Sequence, residues 1–415
     1  MVSMIEHHAN KGKLKKANYF ILALFILAML HMLRNLTPVY LVLYAITSAA
    51  VVFDLIVRSG LFVRSLSNFA WPAFLSGYVV SVSLLQAPNY GDPTIGLARF
   101  FFIAPLVFAI IASIEHRSAA LFFSAWLAFV VISALSLPFQ FVFGPIGWFS
   151  ESFERAGLER FGSLAGSLTT FGNIAGAGAF LSLVIPRRTS VSALLLVIII
   201  AGAVASLQKA AILSLAIGFI TGIWVRGVMR STALVVVIMV VVSMMITFIF
   251  LDRYLQNILI TLFETFIGTA DARIASDVSF LQSMVDRMTE LPSIALTFHG
   301  SDRLLFGVGV FGGSGGLGYS DIPHPHNLVV ENFIVFGLFG GSICLIFLMR
   351  LYFKSLKVLL QTSFETRGTV RIAAGSLVNL IIPSLFAGGL FFHPASASLF
   401  WLSALILLSP NGDRA

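Results

Sequence analysis

The residues best suited to chemistry in this 415-residue chain stand in one stretch, Gly307 to Gly341, reading GVGVFGGSGGLGYSDIPHPHNLVVENFIVFGLFGG. Pro323 and Pro325 fix φ around His324 and His326 and bias each preceding residue toward extended geometry, so two imidazoles ride on a stiff approach. Asn327 is a natural N-cap for a helix starting near Leu328, and the positive end of that helix would lie beside His326, suiting it to act as a general base. Glu331, one turn further on, puts a carboxyl group into an otherwise apolar run. Such a residue faces a bundle interior and is a functional candidate, orienting His326 or a partner arginine, with a structural ion pair as the competing role.

Four cations could meet an anion. Arg160 lies in Glu159-Arg160-Phe161-Gly162-Ser163, followed by Gly166, Thr169, Thr170 and Gly172. Small and polar residues there let backbone approach a phosphate while the guanidinium grips it with two hydrogen bonds. Lys209 closes Ser206-Leu207-Gln208-Lys209 between two apolar runs, where it serves a pyrophosphate or simply snorkels to the headgroups. Arg287 and Arg303 are the remaining anion binders, upstream of Gly307 and Gly309.

The elements that must position these groups follow from composition. Of all residues 58% are hydrophobic and 11% charged, which marks a polytopic membrane protein and leaves no soluble domain to turn the net charge of +8 toward nucleic acid. The single cysteine, Cys344, forms no internal disulfide, and no metal-ligand spacing such as HExxH and no phosphate-loop lysine is present. Twelve apolar runs predict an all-α bundle of about twelve transmembrane helices: 18–33, 38–57, 69–86, 98–114, 119–143, 171–185, 191–207, 210–224, 233–250, 328–349, 372–391 and 396–409. The first, preceded by Lys11, Lys13, Lys15 and Lys16, reads as an uncleaved span.

With the N-terminus inside, most of the 26 basic residues fall on the cytoplasmic side, and both termini are expected there. The exceptions are informative. Arg155, Arg160, Arg273, Arg287 and Arg303 fall in two outer segments, 144–170 and 251–327, and positive charge placed against the usual bias calls for an anionic ligand on that face. Residues 1–415 read as one membrane domain. In its large outer loop, 251–327, Val278, Leu281, Met284, Met288 and Leu291 recur at helical spacing and predict an amphipathic helix over about 278–291.

The order of these pieces, an outer Arg-Phe-Gly-Ser with small residues, a cation heading a middle span, a large outer loop closing with Gly-x-Gly, then His-x-His-Asn and a span containing Gly-x-x-Gly, resembles the bacterial O-antigen ligase and O-antigen polymerase superfamily. The likeness covers roughly residues 155–345, with HPHNLVVENFIVFGLFGG its most specific part. Two positions depart from the pattern: Ser206 is followed by Leu207, Gln208 and Lys209 where the family has Ser-Arg, and Leu304, Leu305 and Phe306 stand where a proline commonly precedes Gly-x-Gly.

The resemblance implies an enzyme of the bacterial inner membrane that acts on its periplasmic face on an undecaprenyl-pyrophosphate-linked glycan, without metal or other cofactor, with chain-length regulator or flippase proteins as candidate partners. On that reading His326 accepts the proton of an acceptor hydroxyl, helped by His324 and Glu331, while Arg160, Lys209, Arg287 and Arg303 stabilise the leaving diphosphate; Asn327, Gly307 and Gly309 shape the site. A polymerase is favoured, and Arg155 with Gly166 fits an arginine-to-glycine spacing seen in some polymerases. A ligase transferring the glycan to lipid A-core, and a transporter or flippase of the same lipid, are the competing readings.

Overall fold

A computed structural model describes residues 74, 77–89, 92, 93, 97, 116–147, 150, 152–155, 158–166, 170–186, 188–206, 208–226, 305–310, 327–361, 368–391 and 393–408. The described residues are mostly helical: 77–89, then α1 (His116–Phe143), α2 (Thr170–Val184), α3 (Thr189–Ala205), α4 (Lys209–Arg226), α5 (Leu328–Leu360), α6 (Gly368–Ala387) and α7 (Pro394–Leu408). Three of these, Phe122–Phe143 within α1, α5 and α6, are long and apolar enough to cross a membrane; Thr170–Val184, Thr189–Ala205, Leu213–Val225 and Ala395–Leu408 are apolar and shorter. The runs expected at 18–33, 38–57, 98–114 and 233–250, and the amphipathic segment 278–291, lie outside the described residues. So does nearly all of 251–327; only 305–310 and Asn327 of it are described.

In hydrocarbon a chain must satisfy its backbone groups internally, so apolar runs of this length become helices. These are apolar on every side. Phe122, Trp126, Phe171, Phe180 and Phe400 fill the interior, while Leu135, Phe139, Leu194, Ile220, Ile346 and Phe353 point outward, as in a bundle whose surroundings are also apolar. The polar residues are largely inside: Ser133, Asn173, Ser214, Asn332, Ser376 and Asn379 are all buried.

α2 sits at the centre, parallel to α4 and antiparallel to α6. It meets α4 through glycine: a Cβ on Gly176 would lie 2.1 Å from the Ser214 carbonyl oxygen, and one on Gly218 would lie 2.1 Å from that of Gly176. Small residues let two backbones touch, which is how helices associate where no hydrophobic driving force separates them from lipid. Ser214 Oγ accepts from the Gly176 N–H at 2.7 Å across the same seam.

One departure from an all-α chain is an antiparallel hairpin, β1 (Ser152–Arg155) with β2 (Leu158–Phe161), in register Ser152 to Phe161 and Arg155 to Leu158. The two residues between the strands are Ala156 and Gly157, the length of connection that two-residue hairpins favour. The hairpin lies at the end of the bundle at which α1 finishes and α2 begins, with Arg160 and Phe161 of β2 buried and the Phe161 ring edge-on to Phe141 of α1.

α5 is broken. Gly337 has φ 69° and ψ −175°, so the helix is two pieces in sequence. Residues 305–309 run beside the break and take up the groups it frees: Val308 N–H donates to the Ile334 carbonyl (2.8 Å), Gly309 N–H to that of Val335 (3.0 Å), and Phe339 N–H to that of Leu305 (3.2 Å). The Tyr78 hydroxyl lies 2.8 Å from the Phe336 carbonyl oxygen. Irregular backbone at this depth persists where protein satisfies it.

Candidate functional site at one end of the bundle

A linked set of buried polar contacts joins different elements where α2, α4, α5 and α7 start and α1, α3 and α6 finish, while the Gly176–Ser214 and Asn379–Thr221 contacts lie further along the bundle. Gln140 Nε2, near the end of α1, donates to the Gly162 carbonyl just past β2 (3.0 Å). Arg160, on β2 and only 8% exposed, places Nε 3.4 Å from the carbonyl oxygen of Ser206, the C-cap of α3. A helix C-terminus has orphan carbonyls and a partial negative charge, so a guanidinium is stabilised there. Gln208 Oε1, one residue ahead of α4, accepts from the Gly172 N–H at 2.9 Å.

The neighbouring residue carries the next contact. Asn173 Nδ2 donates to the Gly388 carbonyl at 2.8 Å, in the turn between α6 and α7. Glu331 Oε2, in the first turns of α5 and 1% exposed, accepts from the Gly389 N–H of the same turn. Gly388 and Gly389 both have positive φ, 71° and 74°, and Leu390 and Phe391 beyond them are buried, so the turn dips into the protein. Ser396 Oγ lies within hydrogen-bond distance of the Gly389, Leu390 and His393 carbonyl oxygens, and the His393 ring packs on Gly389 so closely that a Cβ there would sit 2.2 Å from its Cδ2.

Asn327 caps α5 as its residue type foretells: Oδ1 accepts from Val329 N–H (2.9 Å) and Val330 N–H (3.3 Å), and the helix begins at Leu328. Gly307 and Gly309 lie against the break, both with positive φ (81° and 83°). A Cβ on Gly307 would stand 2.4 Å from Gly337 N, and one on Gly309 2.4 Å from Ser83 Oγ.

Of the residues singled out from sequence, Arg160, the Lys209 start of α4, Asn327, Glu331, Gly307 and Gly309 therefore belong to elements linked at or near this end. Arg160 and Glu331 are joined through the first turn of α2, by Gly172 to Gln208 on one side and Asn173 to Gly388 on the other. His324, His326, Arg287 and Arg303 lie outside the described residues, as does the side chain of Lys209. The partner described for Glu331 at this end, the Gly389 N–H, is a backbone donor, which adds a third role to the two expected of it.

Sequence reasoning missed Asn173, Gln208, Asn332 and His393. The rule that selected Glu331, a polar side chain inside an apolar run, selects Asn173 and Asn332 equally well, and His393-Pro394 repeats on a smaller scale the histidine-proline order ahead of α5.

Comparison with known proteins finds no matching family and no matching curated sequence.

Proposed function

We propose that this chain is a membrane glycosyltransferase of polysaccharide assembly, of the O-antigen or exopolysaccharide polymerase type, moving an undecaprenyl-pyrophosphate-linked glycan to an acceptor hydroxyl at the periplasmic face of the bacterial inner membrane. The observation that carries the reading is the linked set of buried polar contacts at one end of the bundle, with Arg160 held against the end of α3 beside the starts of α2 and α4. A lipid-anchored diphosphate presents its charge where such a bundle meets water. As the glycosidic bond breaks, negative charge grows on the diphosphate, and preorganised cations and helix starts stabilise it. His326, one peptide bond ahead of the Asn327 cap, takes the acceptor proton.

A transferase is supported over a transporter by the Gly307–Val310 segment, which backbone hydrogen bonds pin to α5. The test is transfer by the purified chain in nanodiscs supplied with undecaprenyl-pyrophosphate-linked oligosaccharide. A ladder of longer lipid-linked products is expected. His326→Ala should lower the rate by about 10²- to 10⁴-fold, the usual worth of general-base help, with the unfolding midpoint unchanged. Full turnover by that variant removes His326 from the mechanism; a single transfer to lipid A-core, with no ladder, makes the chain a ligase.

A further inference from the structure

The polar end has two halves of opposite character. Around the starts of α2 and α4 it carries a cation, the Arg160 guanidinium, held at the end of α3. Around the α6–α7 turn it offers acceptors: the Glu331 carboxyl group and the side-chain oxygen of Asn173. The Asn173 amide is 1% exposed and its nitrogen is committed to Gly388, yet its oxygen has no hydrogen-bond partner. Asn332, next to Glu331 and also 1% exposed, has neither side-chain oxygen nor nitrogen paired. Leaving one such buried atom orphaned costs about 1–3 kcal/mol. Asn379 in the middle of α6 shares this state, and the two amides at the starts of α2 and α5 differ from it in standing beside the Glu331 carboxyl group and the Gly388 turn, which points to hydrogen-bonding groups that arrive with a ligand.

The chemistry of that ligand follows from the set. The Glu331 carboxyl group and the Asn173 amide oxygen are acceptors, which suit a diphosphate poorly and match hydroxyl groups, and a hydroxyl, which donates and accepts in turn, can also meet both ends of the Asn332 amide. We infer that the α6–α7 turn is the sugar-binding half of the donor site: Asn173 Oδ1, Glu331 and Asn332 bind hydroxyls of the sugar nearest the diphosphate, and the Arg160 half takes the diphosphate itself. The inference rests on the proposed function, which it extends by assigning the two parts of the donor to two parts of the protein. Adjacent residues of α2 separate the halves, since Gly172 belongs to one and Asn173 to the other, so a single sugar-diphosphate unit spans them. His393, half-buried over Gly389, closes the sugar side.

The test is equilibrium binding to the full-length chain in nanodiscs of two probes, undecaprenyl pyrophosphate and the same lipid carrying its oligosaccharide. Asn332→Leu replaces an unpaired buried amide by an apolar group of similar size, so the unfolding midpoint should hold or rise, while affinity for the glycan-bearing lipid falls roughly tenfold or more and affinity for the bare lipid is unchanged. Asn173→Ala should give the same selective loss and, because it frees the Gly388 carbonyl, some loss of stability. Arg160→Gln should weaken both probes together. Equal affinities of the Asn332→Leu and wild-type chains for the glycan-bearing lipid, or a parallel loss of both lipids, overturns the assignment of the sugar. A lowered midpoint of Asn332→Leu with binding intact makes the amide a structural group and overturns it too. Wild-type chain that binds neither lipid overturns the proposed function as well; wild-type chain that binds both equally overturns only the sugar half.

Discussion

The α2–α4 seam and the junction of α5 with residues 305–309 both press backbone against backbone through glycine, and they use the contact in opposite ways. In the seam, Gly176 and Gly218 sit inside unbroken helices, and the missing side chains bring two regular ladders together. At the junction, Gly337 ends one ladder, Gly307 lies against it, and the freed carbonyls pass to a segment more than twenty residues upstream. The first arrangement holds the bundle together. The second holds nine residues of helix, Leu328 to Phe336, at an angle of their own, and Glu331 and Asn332 are among them. Regular packing serves stability here, and the interrupted helix serves placement.

The comparison can be broken most severely at the seam. Gly218→Val puts a branched side chain where even a Cβ meets the Gly176 carbonyl oxygen, so the helices must separate; a loss of more than about 3 kcal/mol, the upper range of overpacking, is expected from denaturant unfolding in detergent. A variant as stable as the wild type would mean the seam is not closed in the protein.

Gly337→Ala sharpens the contrast, because a continuous helix and a broken one predict opposite signs at this position. Within a regular helix, glycine to alanine stabilises by about 1 kcal/mol. At φ 69°, with Gly307 N alongside, it should instead destabilise by about 1–3 kcal/mol and shift the half-helix that carries Glu331. Asn327→Ala probes the first turn of the same half-helix and should cost about 0.5–2 kcal/mol, with Asn327→Asp restoring most of it. The smallest effect is expected far from the site: Trp224→Phe removes the Nε1 contact to the Leu359 carbonyl (3.1 Å) that ties α4 to the other end of α5, worth about 1 kcal/mol, with substrate binding unchanged.

Much of this architecture is legible in the residues. The starts expected at 171, 210 and 328 fall at Thr170, Lys209 and Leu328, because apolar runs bounded by polar residues leave little freedom in where a helix begins, and Asn327 announces its own cap. The end of α5 is less legible. The apolar run stops near Met349, but Leu351, Val358 and Leu359 keep a buried face among the charges of Lys354 and Lys357, and the helix continues to Leu360.

Three features escape sequence reading for physical reasons. The hairpin at 152–161 is too short to show alternation against its surroundings. The run expected to end at 391 ends as helix at Ala387, since hydropathy does not separate an apolar helix from the buried apolar turn Leu390-Phe391. The break at Gly337 depends on donors from Val308 and Gly309, and no local pattern announces a partner so distant in the chain. For the same reason the glycines and the carboxyl group near α5 can be picked out one by one, while the part played by Asn173 becomes visible only when α2 meets the α6–α7 turn.

The central claim is that the end carrying Arg160, Asn173 and Glu331 faces the water outside the cytoplasm. It is tested most directly by thiol labelling of intact cells with a membrane-impermeant maleimide. Ser152→Cys marks the polar end and Leu360→Cys the opposite one; both positions are exposed, and the native Cys344 is buried. Labelling of Ser152→Cys from outside, with Leu360→Cys reacting only after the cells are opened, is the expected result. The reverse pattern would put the polar end in the cytosol, out of reach of a donor displayed on the outer face, and would contradict the account.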